Sequence, residues 1–433
     1  MARSLFSARM FVAALFVVTG SALLAQTPPG TITLRAEWTL EDILAVALRQ
    51  HPLIEAAGAR LEAARGSRRS AAALPNPLAT YSVEGATFPG QDVVTRLESE
   101  RFAYVTFPFE SIFQRQPRVQ RADEDIRAAE ADLTATERRI ARDVARTFYR
   151  VALAQMAAVA VQENRSALDR LVEYLRARVA QGASPEAELI RAEVERDQAA
   201  NDVTMAEVDL VRARADLQPF LGSVSPPLDA LQVNVSAASA AGQLPPLERF
   251  AERASQRAEL VGGRAKVAAA QAAAAYERRL VIREMGGSFG LKRTSGINSM
   301  IAGLNFSVPL FDRNRGEIAR AAAEGTAAER ELEWMERTVA AEVRGSYEVA
   351  RRLSVQAADL QRTFLSRAEE SSWITLASYQ EGAASLLQVI DATRALAGAR
   401  LSYWRVVFAQ RESLFELMLA AGLDPRGPIG GQQ

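Results

Sequence analysis

"GASPEAELIRAEV" (182–194) and "GAASLLQVIDATR" (382–394) stand 200 residues apart and carry the same pattern. Each opens on glycine and small residues, then enters an apolar-periodic helix. At that offset Ala192 matches Ala392, and Leu221-Gly222 matches Ala421-Gly422. Upstream, "TFYRVA" around Tyr149 matches "GSYEVA" around Tyr347 at an offset of 198, so a two-residue indel separates the halves. The period far exceeds the 20–50 residues of solenoid repeats. It predicts two structural halves of one domain. Duplicated long helices suit a self-assembling tube or bundle, and few enzymes need them.

Long helices lead into both turns. From about 117, Ile126, Ala129, Leu133, Ile140, Val144, Phe148 and Val151 keep 3/4 spacing, and no proline falls between Pro117 and Pro185. Some 65 helical residues would reach roughly 100 Å. From Gly316 to Glu381 a second run places Leu332, Met335, Val339, Val343, Tyr347, Ala350, Leu353, Leu360 and Phe364 on one face. The expected layout is a first repeat over 26–222, with a long helix to 181 and a return helix over 185–221. A Ser/Pro/Gly/Ala-rich connector over 223–245 follows, with one short strand at "LQVNV". The second repeat covers 246–422, with a long helix to 381 and a return helix over 385–421. A tail over 423–433 ends the chain. Residues 38–73 read as helix, with Thr39 and Asp42 as a capping box and Pro52 as a break. Residues from Pro245 to Val281 read as one ascending helix.

Between the helices lie alternating stretches. "LATYSVEG" (78–85) and "RFAYVTFPF" (101–109) predict one hairpin over 78–109; "GGSFGLKR" (286–293) and "SMIAGLNFSV" (299–308) predict another over 286–308. The fold class is therefore mainly α with a small β part. Membrane barrels of one chain have at least eight strands, and open edges are not tolerated in lipid. Four strands per chain therefore require two or three chains to pool eight or twelve. Tyr81, Phe102, Tyr104, Phe107 and Phe109 are candidates for an interfacial aromatic girdle.

Composition excludes several classes. The 52 basic and 52 acidic residues balance, which gives no electrostatic case for nucleic acid. Cysteine is absent, so disulfides, thiolate metal sites and lipidation through cysteine are excluded. His51 is the only histidine; a histidine dyad or cluster within one chain is impossible. Beside Pro52 it is expected at a helix junction. Gly286, Ser288 and Gly290 match G-x-S-x-G, but no histidine follows them in chain order. No cofactor is expected. Arg3 and Arg9 precede the apolar run from Met10, which predicts a signal peptide over 1–25. No later run approaches ~20 uninterrupted apolar residues.

"WTLEDILAVALRQHPLIEAAGARLEAARG", "LPNPLATYSVEG", "VPLFDRNRGEIARAAAE" and "SYQEGAASLLQVIDATRALAGARLSYWRV" resemble the TolC-like outer-membrane efflux proteins, in family order over about 38–422. "VPLFDRNRGEIARA" is especially similar to the heavy-metal cation branch (the CzcC and CusC type); drug-efflux members are close relatives. The resemblance implies a homotrimer whose twelve strands form a barrel in outer-membrane lipid, continuous with a twelve-helix periplasmic tunnel. It also implies an inner-membrane pump of the resistance-nodulation-division type and a periplasmic adaptor. The adaptor is expected to dock on the tip turns, at Gly182, Ala183 and Ser184 and at Gly382, Ala383 and Ala384. Asp391 matches a position where relatives carry a pore-constricting acid. Gln388 occupies another such position and departs from the pattern. Glu188 takes the equivalent place in the first half. These residues are the candidate entrance gate.

Overall fold

The computed structural model describes residues 37–85, 99–109, 111–222, 225–234, 244–282 and 285–424. The expected signal segment, parts of the 223–245 connector and most of the 423–433 tail lie outside them.

Helix α1 (Leu40–Gln50) begins with the expected capping box: Thr39 Oγ1 accepts from Asp42 N–H, and Thr39 N–H donates back to the Asp42 carboxylate. His51 ends α1 and starts α2 (Pro52–Ala72), its Nδ1 accepting from Leu53 N–H at 3.2 Å. Pro52 sits in the first turn, where its missing N–H costs nothing. Two arginines close the far end of α2: Arg115 donates to Ala72 O, and Arg118 to Ala71 O and Ala73 O.

Strands β1 (Leu78–Glu84) and β2 (Glu100–Pro108) lead into α3 (Ser111–Ala180), 70 residues long and about 105 Å at the α-helical rise. It starts ahead of Pro117, which lies inside it. Helix α4 (Glu186–Leu217) returns and ends in a 3-10 turn, Gln218–Phe220, short of the expected 221. In the connector, the described part of "LQVNV" (231–234) forms no strand. Val233 makes a single parallel bridge with Trp38, and the Gln155 amide clamps Val233 through both its N–H and C=O.

The second half departs from expectation twice. Its ascending segment is split into α5 (Leu247–Ala254) and α6 (Ala258–Arg279), as the first is split at His51. After β3 (Met285–Thr294) and β4 (Ile297–Phe306), the long helix is interrupted. Helix α7 (Arg315–Asp359) passes through a π-helical turn, Leu360–Phe364, into α8 (Leu365–Gln380). That turn lies between Tyr347 and Gly382, the interval in which this half carries two more residues than the first. A π turn absorbs extra length without breaking the helix. Helix α9 (Leu386–Ala420) completes the chain of elements.

The halves share their cores. One cluster joins Ile43, Leu44, Val144, Phe148 and Val151 to Leu217, Leu231, Phe408 and Phe415. The most apolar part of α3 is long and apolar enough to cross a membrane by composition. The same helix gives Val144, Phe148 and Val151 to this cluster, and 39% of its most apolar stretch is buried. A second cluster at the α5–α6 junction surrounds an ion network. Arg257, whose side chain is 6% exposed, binds Glu259 at 2.9 Å and Glu342 at 2.6 Å, and donates to Ala420 O. Arg142 also reaches Glu342, and Arg138 donates to Gly422 O. Burial pushes the Glu259 carboxyl up, but the Arg257 hydrogen bond and nearby positive charge outweigh it and hold it below its ordinary value. Arginines of α3 thus tie the first half to the start of α6, to α7 and to the end of α9.

Candidate functional site

Two regions carry features that packing alone does not explain. The first is the sheet. Its order is β1-β2-β3-β4, all antiparallel, so β2 and β3 join the two hairpins across the halves. Side chains alternate between faces, and the register assigns each one. One face carries Tyr81 and Val83, Ala103, Val105 and Phe107, Phe289 and Leu291, and Met300, Leu304 and Phe306. Most of these are exposed, Leu304 to 79%. The apolar surface runs on through exposed Val308, Leu310 and Phe311.

The opposite face is mostly polar, with Leu78, Phe102, Ile297 and Ile301 as its apolar exceptions. Ser288 Oγ donates to Asn305 Oδ1 at 3.1 Å and accepts from Thr106 Oγ1. Lys292 pairs with Glu100 at 2.7 Å and lies over the Phe102 ring, while Thr294 donates to Glu100. Gly290 sits on this face against Tyr104, where a Cβ would stand 2.4 Å from the Tyr104 Cα, so only glycine fits. An apolar outer face and a polar inner face reverse the arrangement of a soluble protein. They match a strand set with lipid outside and water inside.

The register corrects the girdle. Tyr81 and Phe107 are on the apolar face, and Phe109 folds over Gly287 there. Phe102 and Tyr104 are on the polar face. Residues 102 and 104 differ in parity from 107 and 109, so a regular strand cannot put all four on one side. The G-x-S-x-G match lies inside β3, not at a strand-to-helix turn.

The second region is the helical tip. The Gly182 and Gly382 turns have the same geometry. Gly182 N–H donates to Val179 O and Ala183 N–H to Arg178 O; Gly382 N–H donates to Tyr379 O and Ala383 N–H to Ser378 O. This glycine-terminated cap satisfies the last carbonyls of α3 and α8. It needs a positive φ, observed at +69° and +81°. Ala183, Ser184, Ala383 and Ala384 complete the two turns.

Leu168, Leu171, Val172 and Leu175 of α3 pack with Tyr379, Leu386, Val389 and Ile390, which joins the two tips. The Tyr379 hydroxyl donates to Glu188 Oε2 at 3.1 Å, linking α8 to α4. Desolvation first, then the Glu188 charge, pushes the Tyr379 hydroxyl up to about 12, so it remains a donor at neutral pH. The neighbouring Arg178 donates to Tyr174 Oη and to Ala183 O. Arg394 of α9 forms an ion pair with Glu195 of α4.

The three candidate gate residues therefore differ in setting. Asp391 is exposed on α9, directly after the buried Ile390, and makes no ion pair among the described residues. Glu188 is occupied by Tyr379. Gln388 caps its own helix, its Oε1 accepting from Ser385 N–H at 2.8 Å. Tyr379 was missed from the sequence, because its partner is 191 residues away. Asn314, inside "VPLFDRNRGEIARA", was missed too: it is buried at φ +58°, and its Nδ2 donates to Glu277 O and Oε2.

A two-faced sheet with open edges, carried on duplicated helical hairpins, defines a membrane channel subunit of the TolC-like kind. The family profile described as outer membrane efflux protein matches residues 43–223 and 251–423, and the chain belongs to that family. It is 26% identical over 375 residues to the cobalt-zinc-cadmium resistance protein CzcC of Cupriavidus metallidurans, covering 85% of this chain and 86% of that one. The solved structure of CusC superposes with a TM-score of 0.76 at 18% identity, over 93% of this chain and 96% of that one. A membrane protein from Pseudomonas aeruginosa also superposes at 0.76 with 18% identity, over 91% of both chains. The structural likeness establishes the fold.

Proposed function

We propose that the chain is the outer-membrane exit duct of a tripartite efflux system whose cargo is heavy-metal cations. The observation that carries the duct is the sheet, with its exposed apolar face, polar reverse and two open edges at β1 and β4. Open edges are not tolerated in lipid, so copies pool their strands. Family members are trimers, and three copies would supply twelve strands. A periplasmic adaptor docks at the Gly182–Ser184 and Gly382–Ala384 turns, and an inner-membrane pump of the resistance-nodulation-division type drives transport. The likeness to CzcC supports metal cations as cargo.

At the tip, Asp391 residues of three copies converge on the axis, where a ring of like charge attracts cations and excludes anions. Glu188 acts with Tyr379 as a latch between the hairpins. The hairpin of α8 and α9 swings outward when that latch opens.

A strain lacking the gene tests the cargo on a panel of divalent and monovalent metals and several drug classes. Sensitivity confined to metals and restored by the gene is expected; sensitivity to drugs alone contradicts it. In planar bilayers, Asp391→Ala should lower the cation-over-anion permeability ratio several-fold, and an unchanged ratio removes the ring.

A further inference from the structure

At the end of the sheet away from the helices, the apolar face stops at two arginines. Arg101 of β2 and Arg293 of β3 are directly paired in the register, both exposed and both on the apolar face. Like charges directly opposite one another destabilise a sheet. Neither arginine has an ion pair or a hydrogen bond among the described residues, whereas Lys292, the neighbour of Arg293 on the other face, has its carboxylate. The two arginines, with Ser99, Ser295 and Gly296, line a polar notch of about 370 Å³. The Ser295-Gly296 turn that forms one rim is a tight hairpin with φ of +51° and +86°.

The position of this pair selects a ligand. The row below it is Tyr81, Ala103, Leu291 and Met300, the first row of the apolar band. From that row to Phe109 the band measures roughly 20 Å along the strand. The arginines therefore stand at headgroup depth, outside the hydrocarbon but facing lipid and not the lumen. Two adjacent guanidiniums present forked donors matched to phosphate oxygens, and the serine hydroxyls add donors. We propose that Arg101 and Arg293 form a binding site for the phosphate of an anionic, phosphorylated glycolipid in the outer leaflet. The bound phosphate relieves the like-charge repulsion between β2 and β3 and so fastens the two halves of the sheet. This site rests on the outer-membrane placement of the sheet, and not on cargo or gating.

The full-length protein, reconstituted in phosphatidylcholine nanodiscs with or without diphosphorylated lipid A, tests the site by lipid retention in native mass spectrometry. Wild type should retain the glycolipid at least ten-fold better than the double variant Arg101→Gln/Arg293→Gln. The double variant Arg101→Lys/Arg293→Lys should recover part of the binding. Lys292→Gln, on the opposite face, should retain it fully. Equal retention by wild type and the Gln variant overturns the proposal, as does equal retention of dephosphorylated lipid A. Inorganic phosphate competing at micromolar concentration would reassign the notch to a free anion and overturn the lipid commitment. Failure to enter phosphatidylcholine nanodiscs would instead strike the membrane placement of the sheet, on which the site depends. The Gln variants remove a repulsion, so they should fold at least as well as wild type, with trimer integrity by size exclusion as the check.

Discussion

The two tip hairpins end in the same glycine turn yet are built differently. In the first, α3 is unbroken and buries Leu168, Leu171, Val172 and Leu175 within fourteen residues of Gly182. In the second, the positions 200 residues on are Ala368, Ser371, Ser372 and Thr375, and no residue from 358 to 378 is buried. The π turn lies in this same segment. Tyr379 then restores contact, through one ring and one hydrogen bond. The first hairpin is held by apolar packing along its length. The second is held by Tyr379 at its end and by the Glu369–Arg400 ion pair at 3.5 Å. Duplication supplied one shape twice, and the second copy turns its apolar side chains, Phe364, Trp373, Ile374 and Leu376, outward from the subunit.

Core truncation should separate the hairpins most. Leu175→Ala should cost about 3 kcal/mol, while Thr375→Ala, partly exposed and bonded only to its own helix, should cost under about 1 kcal/mol. Denaturant titration of the purified protein in detergent checks this, and equal costs would erase the distinction.

The ion network at the α5–α6 junction should matter to both hairpins at once. Arg257→Gln removes the buried partner of Glu259 and Glu342, leaves them Arg138 and Arg142, and should cost about 2 kcal/mol. The pH dependence has a definite sign. Because the folded Glu259 carboxyl lies below its ordinary value, its contribution is complete above the unfolded value of 4.5 and is lost as pH falls through the folded value. Unfolding midpoints measured from pH 7 to pH 3 should fall for wild type and fall less for Arg257→Gln.

The latch should have a smaller effect. Tyr379→Phe removes one hydrogen bond worth about 1 kcal/mol, which raises the open population roughly five-fold. Single-channel recording reads that directly.

The π turn should give the smallest effect. Deleting Thr363 should convert the turn to α-helix while keeping α8 in register. Hydrogen exchange should then slow around 358–368 and remain unchanged in α3.

Much of the architecture was legible in the sequence for a physical reason. Long apolar periodicity, glycine turns and alternating strands are local signals, and Gly182, Gly382 and the four strands all came from them. The two-residue shift between halves was also visible, but not that a π turn occupies that interval, since a π turn has no composition of its own. Pairings between distant segments were not legible. Tyr379 with Glu188, Arg101 opposite Arg293, and Arg257 with Glu342 each join residues that share no sequence neighbourhood. The Phe102 and Tyr104 placements could have been read by counting parity within the strand. Asp391 is proposed by resemblance alone, because an exposed acid on a helix has no local mark of function.

In the proposed opening, the second hairpin swings away from the first at the tip. The chain has no cysteine, so Glu188→Cys/Tyr379→Cys can be joined selectively by a short bis-maleimide. Conductance of the cross-linked channel in planar bilayers is the measurement. A conductance held at the closed level is expected, against a raised level for the same variant left unlinked. Equal conductance of the linked and unlinked channels would contradict it.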